Sequence, residues 1–368
     1  MLAPDSAVGT WPLWPVPGVR PARGDRLSRS PAWCGHGAAR TSDAGTGARL
    51  RFSRGGIVVL TAEQHAIRAT GIGGSEIAAI AGLSPWMRPI DVWQRKMGIA
   101  PEVEGHHMER GTYLEPGLVA WACKRTGRAY HPCSTTLQHP RHRRVVATPD
   151  ALAPGRTLEV KSPGWRNQDA WGESGTDQVP EYYTPQLMFE AACAGAQFAD
   201  AAAEINGDLR IYSVAFDEDL FESLAEMAGK FWRDHVETGI PPPVDFSESY
   251  KDFLTRRFPE SRGFIRPAGI AEELLAEELR AARAVRVEAE KREDEIANKI
   301  RASIGDADGI EGPWGRITWR KTKEVRKTDY RAIAEGLATP DLIEKFTTIS
   351  QGPRRLVVPR SWSKNEDT

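Results

Sequence analysis

The stretch that decides the fold is VVATPDALAPGRTLEVK, residues 145–161. Two largely apolar runs flank the turn signal Pro154-Gly155, a pattern that predicts a β-hairpin. If the hairpin is symmetric about that turn, Asp150 lies directly across from Glu159. Side chains paired in this way have Cβ atoms about 4.5–5.5 Å apart, and like charges placed there are destabilising. The pattern therefore indicates that something must offset the repulsion between these two carboxylates.

A divalent metal ion would offset it, because two carboxylates are hard oxygen ligands of the kind that Mg²⁺ or Mn²⁺ prefers. Side chains alternate along a strand, so Glu159 and Lys161 share one face while Leu158 and Val160 point into a core. A bound cation lowers the pKa of a water ligand, and a nearby ammonium can neutralise charge on a phosphorane-like transition state. The residues alone indicate metal-assisted phosphodiester hydrolysis. The alternative is an ordinary surface hairpin with a Glu-Lys pair.

Helix and strand signals surround the hairpin. Thr61 can cap a first helix with Gln64 three residues on, and further helices are predicted over residues 74–81 (or 75–81), 89–97 and 108–126 and within YYTPQLMFEAACAG at 182–195. LRIYSVAF, residues 209–216, has the composition of a strand. This order implies an α+β core with a mostly antiparallel or mixed sheet. A charged run without Gly or Pro predicts a long helix over residues 271–304, followed by a small β-containing tail.

Composition and charge exclude several classes of protein. The chain has 368 residues and a formal net charge of −1, which gives no hint of a nucleic-acid partner. Residues 1–55 carry eight Arg and three Asp among many Pro, Gly and Ala, so we expect a disordered basic arm or a mis-called start there. No apolar run reaches the roughly 18–20 residues that span a bilayer, and no signal-peptide pattern opens the chain. The four cysteines form no CxxC pair, so a reduced, cytoplasmic location is expected.

Four stretches together resemble a known family. GIGGSEIAAIAGLSPW (71–86), MERGTYLEP (108–116), VVATPDALAPGRTLEVKSP (145–163) and VPEYYTPQLMF (179–189) follow one another in the family's order. The sequence resembles the PD-(D/E)xK nuclease superfamily, and within it the lambda-exonuclease-like, YqaJ-type viral recombinases. The resemblance covers about residues 60–220, and the motifs are specific jointly where each alone is weak. It implies a restriction-endonuclease-like core, a mixed central sheet flanked by helices.

The resemblance also implies the roles of individual residues. Asp150 and Glu159 match the metal-binding carboxylates, and Glu115 matches the helix-borne acid that completes the metal site. Lys161 matches the catalytic lysine, and Gln186 matches the glutamine that helps to place the active-site groups. Ala151 departs from the family, which often has glycine after the aspartate, and this could restrict the local backbone.

A second acidic residue of the same helix, Glu109, competes with Glu115. The two are six residues apart, about 240° around a helix, so both cannot face one metal. Glu115 is preferred because the family match falls there, and Glu109 can instead satisfy free amides at the start of the helix.

A phosphate site is expected upstream. Arg68 lies seven residues before Ser75, the spacing that the exonuclease family uses for a pocket that receives a DNA-end phosphate. The glycines between them allow close backbone approach, and arginine binds phosphate bidentately. The alternative is a flexible turn and helix cap with Arg68 on the surface.

Two weaker features concern DNA contact. Arg143 and Arg144 could contact the DNA backbone, with a solvated basic turn as the alternative. Four tryptophans could stack on bases, although tryptophan in such loops more often packs in a core, and a structural role is expected for Trp86. The other three are Trp93, Trp165 and Trp171.

The expected function is that of a Mg²⁺-dependent exonuclease, with Mn²⁺ as a substitute, acting 5′ to 3′ on linear double-stranded DNA ends. The expected partner is a single-strand annealing protein, and a homo-oligomer is possible. The alternatives are an endonuclease or junction resolvase on the same core, or a catalytically silent DNA-binding module. The expected organisation is an arm at 1–55, a nuclease domain at 56–265, a long charged helix at 266–305 and a β-containing unit at 306–368.

Overall fold

The computed structural model describes residues 61–101, 106–321, 330, 336 and 339–347. The arm predicted at 1–55 lies outside the described residues, as does most of the tail beyond residue 321. The described residues up to Phe253 form one compact unit, and those from Leu254 onward form another. The domain boundaries drawn from the sequence stay predictions.

Helices α1 to α7 span Ala62–Arg68, Gly74–Ile80, Pro89–Lys96, His106–Thr126, Thr184–Ala194, Glu218–Phe231 and Glu248–Arg257. The predicted cap of α1 is confirmed, because Thr61 Oγ1 accepts a hydrogen bond from the amide of Gln64 and the Gln64 side chain accepts one from the amide of Thr61. Such reciprocal capping satisfies two backbone donors that the helix itself cannot pair.

Strands β1 to β8 span Ile72–Gly73, His131–Pro132, Leu137–Gln138, Val145–Ala147, Ala151–Ala153, Arg156–Lys161, Phe198–Ile205 and Asp208–Ala215. The larger sheet has the order β2-β5-β6-β7-β8, with β6 and β7 parallel and the other neighbours antiparallel. A smaller sheet has the order β1-β4-β3. The predicted α+β class with a mixed sheet and flanking helices is confirmed.

The register of the hairpin is as predicted, but its first strand is not continuous. Ala151 pairs with Leu158, so the same register places Asp150 opposite Glu159. The segment Val145–Ala147 instead belongs to the smaller sheet. Pro149 has no amide hydrogen to donate to a ladder, which is consistent with the break at this point. Asp150 therefore lies where the chain crosses from one sheet to the other.

Ala151 causes no backbone strain. It lies in β5, and the only non-glycine residue of the described chain with a positive φ is Asn206. The substitution of alanine for the family's glycine is therefore compatible with the extended backbone found here.

The sheet separates the core from the polar cluster. Leu118, Val119 and Ala122 of α4 pack with Leu158 of β6 in one apolar cluster. Since side chains alternate along a strand, Glu159 points to the other face, where α5 lies. The two faces of one strand thus serve the core and the candidate site.

The second unit contains α8, Ile270–Ile304, and a hairpin of β9, Gly309–Gly312, with β10, Gly315–Thr318. A short helix α9 follows at Pro340–Lys345. The long charged helix predicted over 271–304 is confirmed, and nearly all of its side chains are exposed. Among the described residues no helix is both long and apolar enough to cross a membrane.

Candidate active site

Three elements bring polar side chains to the end of the central hairpin. Strand β6 supplies Glu159 and Lys161, helix α5 supplies Gln186, and α4 supplies Glu115. Asp150 comes from the crossing between the two sheets. These five residues, which the sequence singled out from separate motifs, lie close together in space. We call them the carboxylate-lysine cluster.

The side-chain amide of Gln186 connects members of the cluster through hydrogen bonds. Its Nε2 donates to Glu159 Oε1 at 2.7 Å and to Glu190 Oε1 at 2.7 Å. Its Oε1 accepts from Lys161 Nζ at 3.3 Å, and Lys161 also pairs with Glu159. A glutamine amide has distinct donor and acceptor ends, so these three partners specify which way it points.

Burial and neighbouring negative charges raise the pKa values of two carboxylates of the cluster. Asp150 Oδ2 accepts a 2.7 Å bond from the amide of Val160. Burial, followed by the charges of Glu159 and Glu115, raises the pKa of Asp150 well above its usual value. Burial and the charge of Glu159 also raise the pKa of Glu115. The structure places Glu115 beside Glu159, whereas Glu109 is exposed, so the preference for Glu115 agrees with this geometry.

Lys161 is the positive charge of the cluster. Its burial acts to lower its pKa, but the charges of Glu159 and Asp150 outweigh that effect and the net pKa is raised. The lysine therefore stays protonated at neutral pH. It also lies 4.9 Å from the centre of the Tyr183 ring, a cation–π contact.

The donor set fits a hard divalent cation, although the side chains do not yet converge on one point. Within the part of the chain that the structure describes, no group of three His, Cys, Asp or Glu side chains is gathered as a metal site. Lys161 and Gln186 both contact Oε1 of Glu159, so a metal could bind through Oε2 without displacing them. Burial, followed by the charges of neighbouring carboxylates, raises the pKa values of Asp150 and Glu115, and a bound cation would oppose both effects.

Glu190 belongs to the same site and was missed in the sequence. It is 1% exposed, and its Oε2 has no hydrogen-bond partner among the described residues. Burial and then the charges of Glu159 and Asp150 raise its pKa well above the usual value. Its spacing of four residues from Gln186 puts both on one helix face, a signal that could have identified it.

A second polar group lies at the start of the domain. Arg68, at the end of α1, donates to Thr148 Oγ1 at 3.3 Å, and Thr148 is only two residues before Asp150. Ser75 is exposed in the first turn of α2. Thr148 was not anticipated from the sequence, and it links the predicted phosphate site to the carboxylate-lysine cluster.

A buried ion pair supports this second group. Glu76 Oε2 accepts from the amide of Gly73 at 2.7 Å and from Lys96 Nζ at 2.6 Å. Lys96 also donates to the backbone oxygen of Arg68 at 2.9 Å. Helices α1, α2 and α3 are thereby tied together beneath the turn. Gly71 is required there, because a Cβ atom would lie 2.8 Å from the backbone oxygen of Arg144.

The two candidate DNA-contacting arginines differ. Arg144 donates to the backbone oxygen of Thr70 at 2.8 Å and to Glu237 at 3.0 Å, and it lies 4.3 Å from the centre of the Trp232 ring. A DNA contact by Arg144 would have to compete with these internal partners. Arg143 is exposed, so it is the better placed of the two for such a contact.

The fold and the cluster define an α+β protein with a polar, lysine-containing site at the end of its central hairpin. Residues 63–197 match the profile of the YqaJ-like viral recombinase domain. This match agrees with the resemblance found in the sequence, and the matched segment contains every residue of the site.

Individual relatives are more distant. The uncharacterized protein YqaJ of Bacillus subtilis (strain 168) is 27% identical over 201 residues, which cover 53% of this chain and 62% of the relative. The match thus spans less than two thirds of that protein. A structure of an alkaline exonuclease, LHK-Exo from Laribacter hongkongensis, is 20% identical with a TM-score of 0.41 and covers 54% of this chain and 97% of its own. A phage-related exonuclease from Haemophilus somnus 129PT is 10% identical with a TM-score of 0.36, over 51% and 96%.

Proposed function

We propose that this chain is a Mg²⁺-dependent exonuclease that hydrolyses linear double-stranded DNA from the 5′ end and leaves single strands for phage-type recombination. The observation that carries the proposal is the proximity of five residues from separate motifs in the carboxylate-lysine cluster. The match to a viral recombinase domain supports the same conclusion.

We propose a part for each residue of the cluster. Glu115, Asp150 and Glu159 would hold the cation, with Mn²⁺ as a substitute. When bound, the cation supplies Lewis-acid stabilisation of the phosphate and lowers the pKa of a water molecule. Lys161 remains an ammonium, so it stabilises negative charge on the reacting phosphate rather than removing a proton. Gln186 holds Lys161 and Glu159 in place through its two amide ends.

Arg68, Ser75 and Thr148 would set the 5′-to-3′ direction of digestion. Arginine binds a terminal phosphate through several donors, and the hydroxyls of Ser75 and Thr148 add further hydrogen-bonding groups. Because Thr148 is two residues from Asp150, a 5′ phosphate held by Arg68 would lie next to the cluster. The first phosphodiester bond of the strand would then reach the lysine.

Nucleotide release from linear duplex DNA tests the proposal. The purified full chain should release nucleotides in Mg²⁺ or Mn²⁺ and not in EDTA. Lys161→Ala should lower the rate by a factor on the order of 10²–10³, as for loss of one charge-stabilising group. Lys230→Ala is the matched control, because Lys230 is an exposed lysine of α6 that pairs with Asp234. Equal rates for wild type and Lys161→Ala would refute the proposal.

DNA topology and end labels separate the rival activities. Covalently closed circles should stay intact, and a label at the 5′ end should be released before one at the 3′ end. Cleavage of circles would indicate an endonuclease or resolvase instead. Binding without cleavage in both metals would indicate a silent DNA-binding module.

The proposed partner is a single-strand annealing protein, which would take up the strand that remains. A homo-oligomer encircling DNA would make digestion processive. Light scattering of the full chain and the length distribution of partly digested DNA test the oligomer. A monomer that releases its substrate after each cut would reject it.

A further inference from the structure

Trp86 is held in an exposed position by its own loop. The loop joins α2 to α3, and 60% of the Trp86 side chain is exposed. The buried Ser84 accepts hydrogen bonds from the amides of Trp86, at 3.3 Å, and Met87, at 3.1 Å. Pro85 fixes the backbone between them further. These hydrogen bonds and the proline constrain the backbone that presents this large apolar ring to solvent.

Trp86 is connected to the cluster by a chain of edge-to-face and tilted aromatic contacts. Its ring lies 4.9 Å from that of Tyr182, nearly perpendicular, and 6.1 Å from that of Tyr183. Tyr183 in turn contacts Trp171, which is 5% exposed and anchors the group in the core. Lys161 Nζ lies 4.9 Å from the Tyr183 ring centre. These centroid distances place the Trp86 ring within 11 Å of the lysine.

That distance matches the scale of a DNA strand. One strand of B-form DNA advances about 3.4 Å per nucleotide along the axis, and an unstacked strand advances further. A strand whose phosphate reaches Lys161 can therefore place a base at Trp86 within about three nucleotides. The buried Trp93, 1% exposed, and Trp171 cannot take this part, and the side chain of Trp165 lies outside the described residues.

The surface next to Trp86 has room for a base. A cleft of about 480 Å³ is lined by Trp86 together with polar side chains that include Asp91 and Arg95, a volume within the range of about 300–1,000 Å³ typical of ligand sites. Arg95 is exposed and supplies positive charge for the phosphate attached to that base. A structural role for Trp86, the expectation from the sequence, does not account for this exposure.

We propose that Trp86, supported by Tyr182, is a stacking platform for an unpaired nucleobase of the strand that enters the carboxylate-lysine cluster. The proposal rests on the proposed nuclease function and adds how the opened strand is held on its way to the cluster. Stacking on an aromatic face accepts any base, so the platform gives affinity without sequence preference. It captures bases at the duplex end once they have opened.

Binding measurements without hydrolysis test the platform. Duplexes with three unpaired nucleotides at the 5′ end are titrated by fluorescence anisotropy in EDTA, with 2-aminopurine placed in turn at each unpaired position. Trp86→Ala should weaken binding roughly 5- to 150-fold, the loss expected for one stacked base, and should abolish quenching of one 2-aminopurine position. Trp86→Phe should retain quenching.

Trp314→Ala is the matched control, because Trp314 is 61% exposed and lies in the second unit. It should leave both affinity and quenching unchanged. Unchanged binding by Trp86→Ala, or equal losses in the two alanine variants, would overturn the platform. So would a Trp86→Ala loss that accompanies dissociation of an oligomer in light scattering, because the ring would then pack against a second copy of the chain.

The outcomes also distinguish the platform from the nuclease proposal. If wild type releases no nucleotides but Trp86→Ala weakens binding, the nuclease function fails and the base site stands. If wild type digests DNA normally and Trp86→Ala binds like wild type, the platform alone fails.

Discussion

Replacing Lys96 with methionine removes one partner of the ion pair beneath the Arg68 turn. The side chains of Lys96 and Glu76 are 5% and 7% exposed, and their charged atoms are 2.6 Å apart. Burial lowers the pKa of Lys96, while the charge of Glu76 opposes this effect. Methionine has a similar length, so the change removes the charge without opening a large cavity.

The expected cost follows from the charge that is left behind. Removing one partner of a buried pair costs about 3–5 kcal/mol, because the other charge remains buried and uncompensated. Glu76 keeps its hydrogen bond from Gly73, which favours the lower end of that range. We therefore expect Lys96→Met to reduce the free energy of unfolding by about 3 kcal/mol.

Urea unfolding followed by tryptophan fluorescence measures this loss. The double variant Glu76→Gln/Lys96→Met should recover part of it, because no unpaired charge remains. Lys251→Met is the control, since Lys251 and Glu248 are also 2.6 Å apart but their side chains are each 71% exposed. If Lys96→Met lowers the midpoint no more than Lys251→Met does, the reasoning from burial is refuted.

Three further predictions concern single residues. Glu190→Gln should remove a pH dependence of the free energy of unfolding. Because the pKa of Glu190 is raised in the folded protein, the metal-free wild type should lose stability relative to the variant as the pH rises above the usual glutamate range. The loss should be about 1.4 kcal/mol per pH unit until the pH reaches the raised pKa. If the free energies of unfolding of the two proteins change with pH in parallel, this prediction is contradicted. Arg68→Ala should make 5′-phosphate and 5′-hydroxyl duplexes equally good substrates, which digestion rates measure; a preference that persists would reject the phosphate site. Gly71→Ala should destabilise by about 1–3 kcal/mol in urea unfolding, because its Cβ meets the Arg144 backbone, whereas Gly111→Ala, with open space, should not.

The sequence predicted the register of the hairpin because the register depends on local chemistry. Pro154-Gly155 sets the turn, and Gly155 adopts the positive φ of 69° that the turn requires. The pairing of Asp150 with Glu159 follows from that turn alone. The turn does not predict that the preceding strand belongs to another sheet, because that strand, Val145–Ala147, pairs with Ile72–Gly73, more than seventy residues away. Apolar periodicity contains no information about that partner.

Strand β7, Phe198–Ile205, was missed for a related reason. Its sequence FADAAAEI is rich in alanine, which has low strand propensity. The strand forms because it is buried between β6 and β8, where small side chains permit helices to pack closely on the sheet. Tertiary context here overrides local preference, and only the neighbouring strands make the segment extended.

The carboxylate-lysine cluster explains why net charge was a poor guide to function. The chain is nearly neutral overall, yet the three carboxylates of the cluster, with Glu190 beside them, lie in a partly buried site that also holds the ammonium of Lys161. Local rules disfavour such an arrangement, since buried like charges raise one another's pKa and cost stability. A site of this kind persists where its excess negative charge has a use. The position of the charges, rather than their sum, is the property that the proposed metal-dependent activity would require.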